Sequence, residues 1–194
     1  MRHPHAPPSE PGARAVRRRA RTAAAATALV TALPLALGAL SEGSLLVTAP
    51  ALVAGLTALV LLPDLCQERP PARHARTRST ARTPTGRRSV DLTRVTSVRL
   101  WTTFSPGGVQ QRVLLVRDVH GVRLGITSAA GRRALRTALA GQQGRRARVG
   151  PAARACLGDG PGRWLVRHTV TMFLSQVAAV CGYLIGFLEV SGTA

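Results

Sequence analysis

Thr22 to Leu40 reads TAAAATALVTALPLALGAL, nineteen residues without a charge. As an α-helix rising about 1.5 Å per residue it would extend roughly 28 Å, close to the hydrocarbon thickness of a bilayer. Pro34 and Gly38 would be awkward in a soluble helix but are tolerated in a membrane one. After a polar break at Ser41, Glu42, Gly43 and Ser44, residues 45–62, LLVTAPALVAGLTALVLL, are again uncharged. Together they read as a helical hairpin over 22–62. A third uncharged run, Thr169 to Val190, TVTMFLSQVAAVCGYLIGFLEV, holds only Gln176 and Glu189 as strongly polar members. Arg163, Trp164 and Arg167 precede it as an aromatic and cationic anchor.

The arginines give these segments a direction. The chain has 27 basic residues against 8 acidic ones, and every basic one is Arg. Six precede the first apolar segment and 21 lie between Arg69 and Arg167, with none in the 41–44 break or after the third run. The excess of positive charge on cytoplasmic loops then predicts a multi-pass protein of the bacterial inner membrane. Its N-terminus and residues 63–168 would be cytoplasmic, and its C-terminus outside. A cleaved signal peptide is disfavoured, because the first apolar stretch exceeds the usual length and no small-x-small site precedes Ser41. The wealth of Ala, Arg, Gly and Pro fits GC-rich coding, so the position of each Arg carries more weight than the number.

Residues 1–21 form a basic tail, expected to be disordered where Pro and His crowd its start. Residues 63–89 include QERPPARHARTRSTARTPTGRRS, Gln67 to Ser89, with Arg at nearly every third position and little to bury. They read as a disordered juxtamembrane linker. Beside an anionic leaflet, Arg69, Arg73, Arg76, Arg78, Arg82, Arg87 and Arg88 are its candidate headgroup contacts, each adding on the order of 1 kcal/mol.

Residues 90–160 change character. Val95, Ser97, Arg99 and Trp101 alternate with Thr96, Val98, Leu100 and Thr102, a strand pattern ending near Phe104. A turn, Ser105-Pro106-Gly107-Gly108, leads to a second strand over Gln111 to Arg117. Asp118-Val119-His120-Gly121 connects it to a third over Val122 to Thr127. Ser128 can cap a helix over Ala129 to Ala140, with Leu135, Ala138 and Leu139 on one face and Arg132, Arg133, Arg136 and Thr137 on the other. A second short helix is expected over Arg148 to Leu157. The fold class is therefore three transmembrane helices with a small α+β cytoplasmic domain.

The strand, Pro-Gly-Gly turn, VLLVRDVHGVRLGI hairpin and amphipathic helix resemble the later half of bacterial PH-like domains in small actinobacterial membrane proteins, over residues 89–141. Such domains have about seven strands and a closing helix, whereas three or four strands are legible here. The resemblance implies a scaffold or regulatory membrane protein with no catalytic residue to carry over.

Chemistry is sparse. Glu10, Asp64, Glu68, Asp91, Asp118 and Asp159 each have a structural explanation and form no general acid–base pair. His3, His5, His74, His120 and His168 lack metal-ligand spacing, and Cys66, Cys156 and Cys181 make neither a disulfide framework nor a zinc site. No enzyme, cofactor, metal or small-molecule substrate is expected. Ala178, Gly182 and Gly186, at four-residue steps, could pack against another helix, with Ala51 and Gly55 as a matching surface and Gln176 bonding across it. That packing would be within one chain or by self-association. An anionic lipid surface is the expected partner, and a protein partner is compatible. Membrane-tethered nucleic-acid binding and an accessory transporter subunit are alternatives. The first lacks a recognition helix and stacking aromatics; the second lacks ionisable residues within the spans.

Overall fold

The computed structural model describes residues 12–40, 49–50, 52–57, 65–104, 110–141 and 147–190. Helix α1 runs from Ala13 to Leu40. It begins within the expected basic tail, because Ala and Arg are strong helix formers and Val16 finds apolar cover in the core of the soluble domain. Of the tail expected to be disordered, residues 13–21 are thus helical, and residues 1–11 lie outside the described residues. Pro34 sits inside α1 and is buried. The hydroxyls of Thr27 and Thr31 bond back to the carbonyls of Ala23 and Thr27, each at 2.9 Å, which hides their polarity on an apolar helix.

Three strands follow where the sequence suggests a linker: β1 (Arg69–His74), β2 (Arg78–Thr83) and β3 (Gly86–Asp91), an antiparallel sheet in that order. Low hydrophobicity misleads here, because β2 does alternate. Ser79, Ala81 and Thr83 point inward and are buried, while Arg78 and Arg82 are exposed. A second sheet has the order β6-β5-β4-β7, built from β4 (Val95–Phe104), β5 (Gln110–Asp118), β6 (Arg123–Ile126) and a two-residue β7 (Arg148–Val149) parallel to β4. The register shifts between Val95 and Ser97, so Val95 joins Val98, Leu100 and Thr102 on the buried face. This corrects the simple alternation, which pairs Val95 with Ser97 and Arg99. The Ser105–Gly108 turn lies outside the described residues.

Helix α2 (Ala129–Gly141) closes the domain with Leu135 fully buried. Ser128 caps it as expected, its Oγ accepting the Gly131 N–H at 3.1 Å. Residues 148–149 are strand, and only Pro151–Leu157 form the short helix α3. Pro151 favours that start, and left-handed Gly158 (φ 86°) stops the helix. Val90, Leu92, Val98, Leu114, Val116, Leu124, Ile126, Leu135 and Ala153 form one core fed by both sheets and the two short helices.

Helix α4 spans Gly162–Val190, longer at its start than the expected span. Among the described residues two helices, not three, are long and apolar enough to cross a membrane: residues 14–37 of α1 and 162–189 of α4. Only 6% of the apolar window in each is buried, whereas the core helix of a soluble protein is mostly covered. Leu29, Leu33, Val170, Leu174 and Ile185 stand exposed. Of the expected second span, Ala49, Pro50 and residues 52–57 are helical and the rest lies outside the described residues. This short helical piece packs where α1 meets α4. The Tyr183 hydroxyl donates to the Thr31 carbonyl at 2.8 Å, and Gly55 lies against Pro34 and the Tyr183 hydroxyl so closely that no Cβ would fit. Because α1 meets the domain at Val16 and α4 meets it at Leu165, while Thr31 and Tyr183 meet farther along each helix, the two helices run in the same direction.

Candidate anion-binding site

A cavity of about 440 Å³ lies between the first turns of α1 and the soluble domain. Its polar lining is Arg17 and Arg21 from α1, Arg88 from β3, Arg117 from β5 and Arg123 from β6, with Thr85 and Cys66. The hairpin register explains two of these. Arg117 and Arg123 stand directly opposite each other across β5 and β6, an unfavourable placement for like charges. The connecting turn, where Gly121 adopts φ 76°, brings in a third. A Cβ at Gly121 would meet Arg17 Nη1 and Arg117 Nη2, each at 3.8 Å, so both guanidinium groups converge on one point. No carboxylate lines the cavity among the described residues.

Arg88 is the buried member, only 2% exposed. Its Nη1 donates to the Arg123 carbonyl at 2.7 Å and to the Cys66 sulfur at 3.3 Å, and Nη2 donates to the Thr85 hydroxyl. Its Nε is buried and has no hydrogen-bond partner among the described residues. Among the described residues every acceptor is neutral. A buried cation without a counter-charge ordinarily costs several kcal/mol, which an anion in the cavity would offset.

The other six arginines named from the sequence are exposed: Arg69, Arg73, Arg76, Arg78, Arg82 and Arg87. The sheet aligns three of them. Arg69 pairs with Arg82 and Arg82 with Arg87, making a row across β1, β2 and β3. At one end of that row Gly86 lies against Arg19 of α1, so the row sits on the side of the domain from which α1 departs. Arg78 instead faces Asp91. Arg88 thus leaves the exposed set for the cavity, and the sequence missed Arg17, Arg21, Arg117 and Arg123 as its partners. The Asp-x-x-Gly turn could have supplied Arg117 and Arg123, since it fixes their cross-strand pairing.

A second polar cluster is largely enclosed. Glu68 Oε1 accepts from the Thr127 and Ser128 N–H groups at 2.8 and 2.6 Å and from the Thr127 hydroxyl at 3.2 Å. Glu68 Oε2 lies 3.4 Å from His74 Nε2, which also shares a 3.0 Å hydrogen bond with the Ser128 hydroxyl. His74 Nδ1 bonds Ser79 Oγ at 2.8 Å. The Ser–His–Glu order invites a catalytic reading, but Ser128 is committed as the α2 cap and Glu68 to three donors. The cluster fastens the start of β1 to α2. Asp118 is likewise structural, accepting the Val122 N–H at 3.0 Å within its turn. Among the described residues no three His, Cys, Asp or Glu side chains are grouped to hold a metal.

The proposed helix-packing stripe is placed differently from its expected partners. Ala178 and Gly182 are exposed, and nothing lies within 4 Å of a Cβ added at Gly182 or Gly186. Gly55 meets Tyr183 instead, and Ala51 lies outside the described residues. Gln176 bonds a strand rather than a helix, its Nε2 donating to the Thr102 carbonyl at 3.2 Å. Beside it Phe173 and Phe104 meet edge to face, with ring centroids 5.2 Å apart. Comparison with protein-family models, with curated protein sequences and with solved structures finds no match.

Proposed function

We propose that this chain is a non-enzymatic, multi-pass protein of the bacterial inner membrane that holds a small basic domain against the anionic cytoplasmic leaflet, as a scaffold or regulatory component. The observation that carries the reading is the juxtaposition of two apolar, uncovered helices with an arginine-lined cavity and arginine row where α1 leaves the domain. Uncovered apolar helices of this length require lipid, and guanidinium groups at their cytoplasmic end gain from anionic headgroups. The arginine asymmetry supports an N-terminus inside and a C-terminus outside. Gly55 wedged between Pro34 and Tyr183 supports a third span in the same bundle.

Helix contacts suggest the depth. Thr31 lies ten residues beyond Arg21, about 15 Å of helix. Because α4 runs in the same direction, the level of Arg21 falls near Phe173 on α4. Phe104 and Thr102 reach α4 at Phe173 and Gln176, and on this reading the end of β4 belongs to the interfacial layer where aromatic rings collect. The first three turns of α4 would then stand above the hydrocarbon alongside the domain. The PH-like reading rests on seven strands in two sheets among the described residues; the helix α2 follows the sixth strand rather than the seventh, and the two-residue β7 pairs parallel to β4, both departures from a closing helix.

Cysteine labelling tests this. In a background with Cys66, Cys156 and Cys181 replaced by Ser, His120→Cys should resist an impermeant maleimide in intact cells and react after lysis. Labelling of intact cells would overturn the topology, and release of the full chain by carbonate would overturn membrane integration.

A further inference from the structure

Resting on that membrane reading, we infer that the cavity between α1 and the soluble domain binds the phosphate headgroup of an anionic phospholipid. Five guanidinium groups surround it, one of them buried with its Nε unpaired among the described residues, and two converge beside the left-handed turn at Gly121. Guanidinium forks match phosphate oxygens, and a shared anion relieves the repulsion among groups that face one another. The volume lies within the roughly 300–1,000 Å³ of small-ligand pockets. The rest of the lining favours a lipid over free phosphate. Val16, Ala20 and Ala24 form an apolar wall along α1, joined by Leu65 and Val122. Ala24 already belongs to the uncharged stretch, so the wall leads from the arginines toward the bilayer. A free phosphate has no use for such a wall; a glycerol and its acyl chains do. Asp64, which adjoins Leu65 in sequence, lies outside the described residues and is the counter-charge to be tested against a bound anion.

The test uses the full chain in nanodiscs of phosphatidylcholine containing a minor fraction of phosphatidylglycerol, with lipid retained per protein measured by native mass spectrometry. Wild type should retain phosphatidylglycerol selectively. Arg17→Gln combined with Arg117→Gln, both exposed positions that leave the fold intact, should weaken retention about tenfold or more, as expected for two charge-assisted contacts. Arg88→Gln should do the same if it folds. Arg133→Gln combined with Arg148→Gln, exposed positions that line no part of the cavity and belong to no arginine row, should leave retention within about twofold. Undiminished retention by the Arg17/Arg117 variant would overturn the site. Thermal stabilisation by inorganic phosphate in pure phosphatidylcholine discs, equal to that by phosphatidylglycerol and lost in the same variant, would assign the site to free phosphate and overturn the lipid. A tenfold gain in retention on Asp64→Asn would show that the carboxylate neutralises the cavity, and would also overturn the proposal. Labelling of His120→Cys from outside cells sinks the membrane orientation, whereas protected labelling with unchanged retention sinks the site alone.

Discussion

Strands β4 to β6 bury Val98, Leu100, Leu114, Val116, Leu124 and Ile126, whereas β1 to β3 bury Ser79, Ala81, Thr83, Arg88 and Val90. Both units are three-stranded antiparallel meanders of similar strand number, and both feed one core. The first is held by apolar area, which is large and tolerant of direction. The second is held by directed bonds from Glu68, His74 and Arg88 to particular backbone and hydroxyl groups. Polar burial of this kind adds less net stability but places charge where a ligand can meet it. The two units should therefore fail differently when cut.

The largest effect belongs to the apolar unit. Leu114→Ala removes a fully buried side chain from the centre of β5 and should cost about 2–5 kcal/mol. Denaturant unfolding of the full chain in detergent, followed by Trp fluorescence, measures it. A cost under about 1 kcal/mol would mean that the two sheets do not share one cooperative core.

Next comes the polar unit. Glu68→Ala leaves the Thr127 and Ser128 N–H groups without their acceptor and should cost about 1–3 kcal/mol. The loss should be local. Hydrogen exchange should show faster amides at the start of α2 and in β1, with β4 and β5 protected as in wild type. Glu68→Gln, which keeps an acceptor oxygen, should recover most of that protection. Uniform loss across both sheets would erase the distinction between the units.

The same contrast explains what could be read from the sequence. Strands β4 to β6 and helix α2 were legible because Val, Leu and Ile recur at the period of the element they form. Strands β1 to β3 were not, although β2 alternates just as regularly, because the inward members are Ser, Ala and Thr. A hydropathy pattern registers only apolar alternation, so burial satisfied by hydrogen bonds is invisible to it. Simple alternation puts Val95 on the wrong face because a bulge adds a residue that no local pattern marks. At the cavity, Arg88 was named for its charge alone. Its partners come from α1, β5 and β6, and only the tertiary fold brings them together. The long apolar helices, by contrast, announce themselves by composition over a single stretch.

A smaller effect runs in the stabilising direction. Arg82 stands between Arg69 and Arg87 on the exposed face of the polar sheet, so Arg82→Glu exchanges two like-charge pairs for opposite ones. The gain should be roughly 0.5 kcal/mol at low ionic strength and should fade as salt screens it. The same variant should bind anionic vesicles more weakly. Reduced stability together with unchanged vesicle binding would remove the row from the membrane-facing surface. A gain in stability with loss of binding would show that the sheet gives up some stability to present the row.

A comparably small effect concerns Asp91, which closes the polar unit. Its side chain accepts from the Thr93 N–H at 2.8 Å and hydroxyl at 2.6 Å, capping a single turn over Leu92–Arg94. Partial burial pushes the carboxyl up, but the two Thr93 hydrogen bonds and the nearby Arg94 and Arg78 together outweigh it and hold the group below its ordinary value. A depressed folded-state value means that Asp91 contributes stability above the ordinary carboxylate range near pH 4. That contribution is lost as the pH falls through the lower folded-state value. The group is largely solvated, so Asp91→Asn should cost under about 1 kcal/mol at neutral pH, the size of a modest cap. Unfolding midpoints of wild type and Asp91→Asn should therefore differ by a constant amount above about pH 5 and converge below about pH 4. A difference that widens on acidification would place the shift in the opposite direction, and the polar sheet would then be held closed at Asp91 by the hydroxyl of Thr93 rather than by charge.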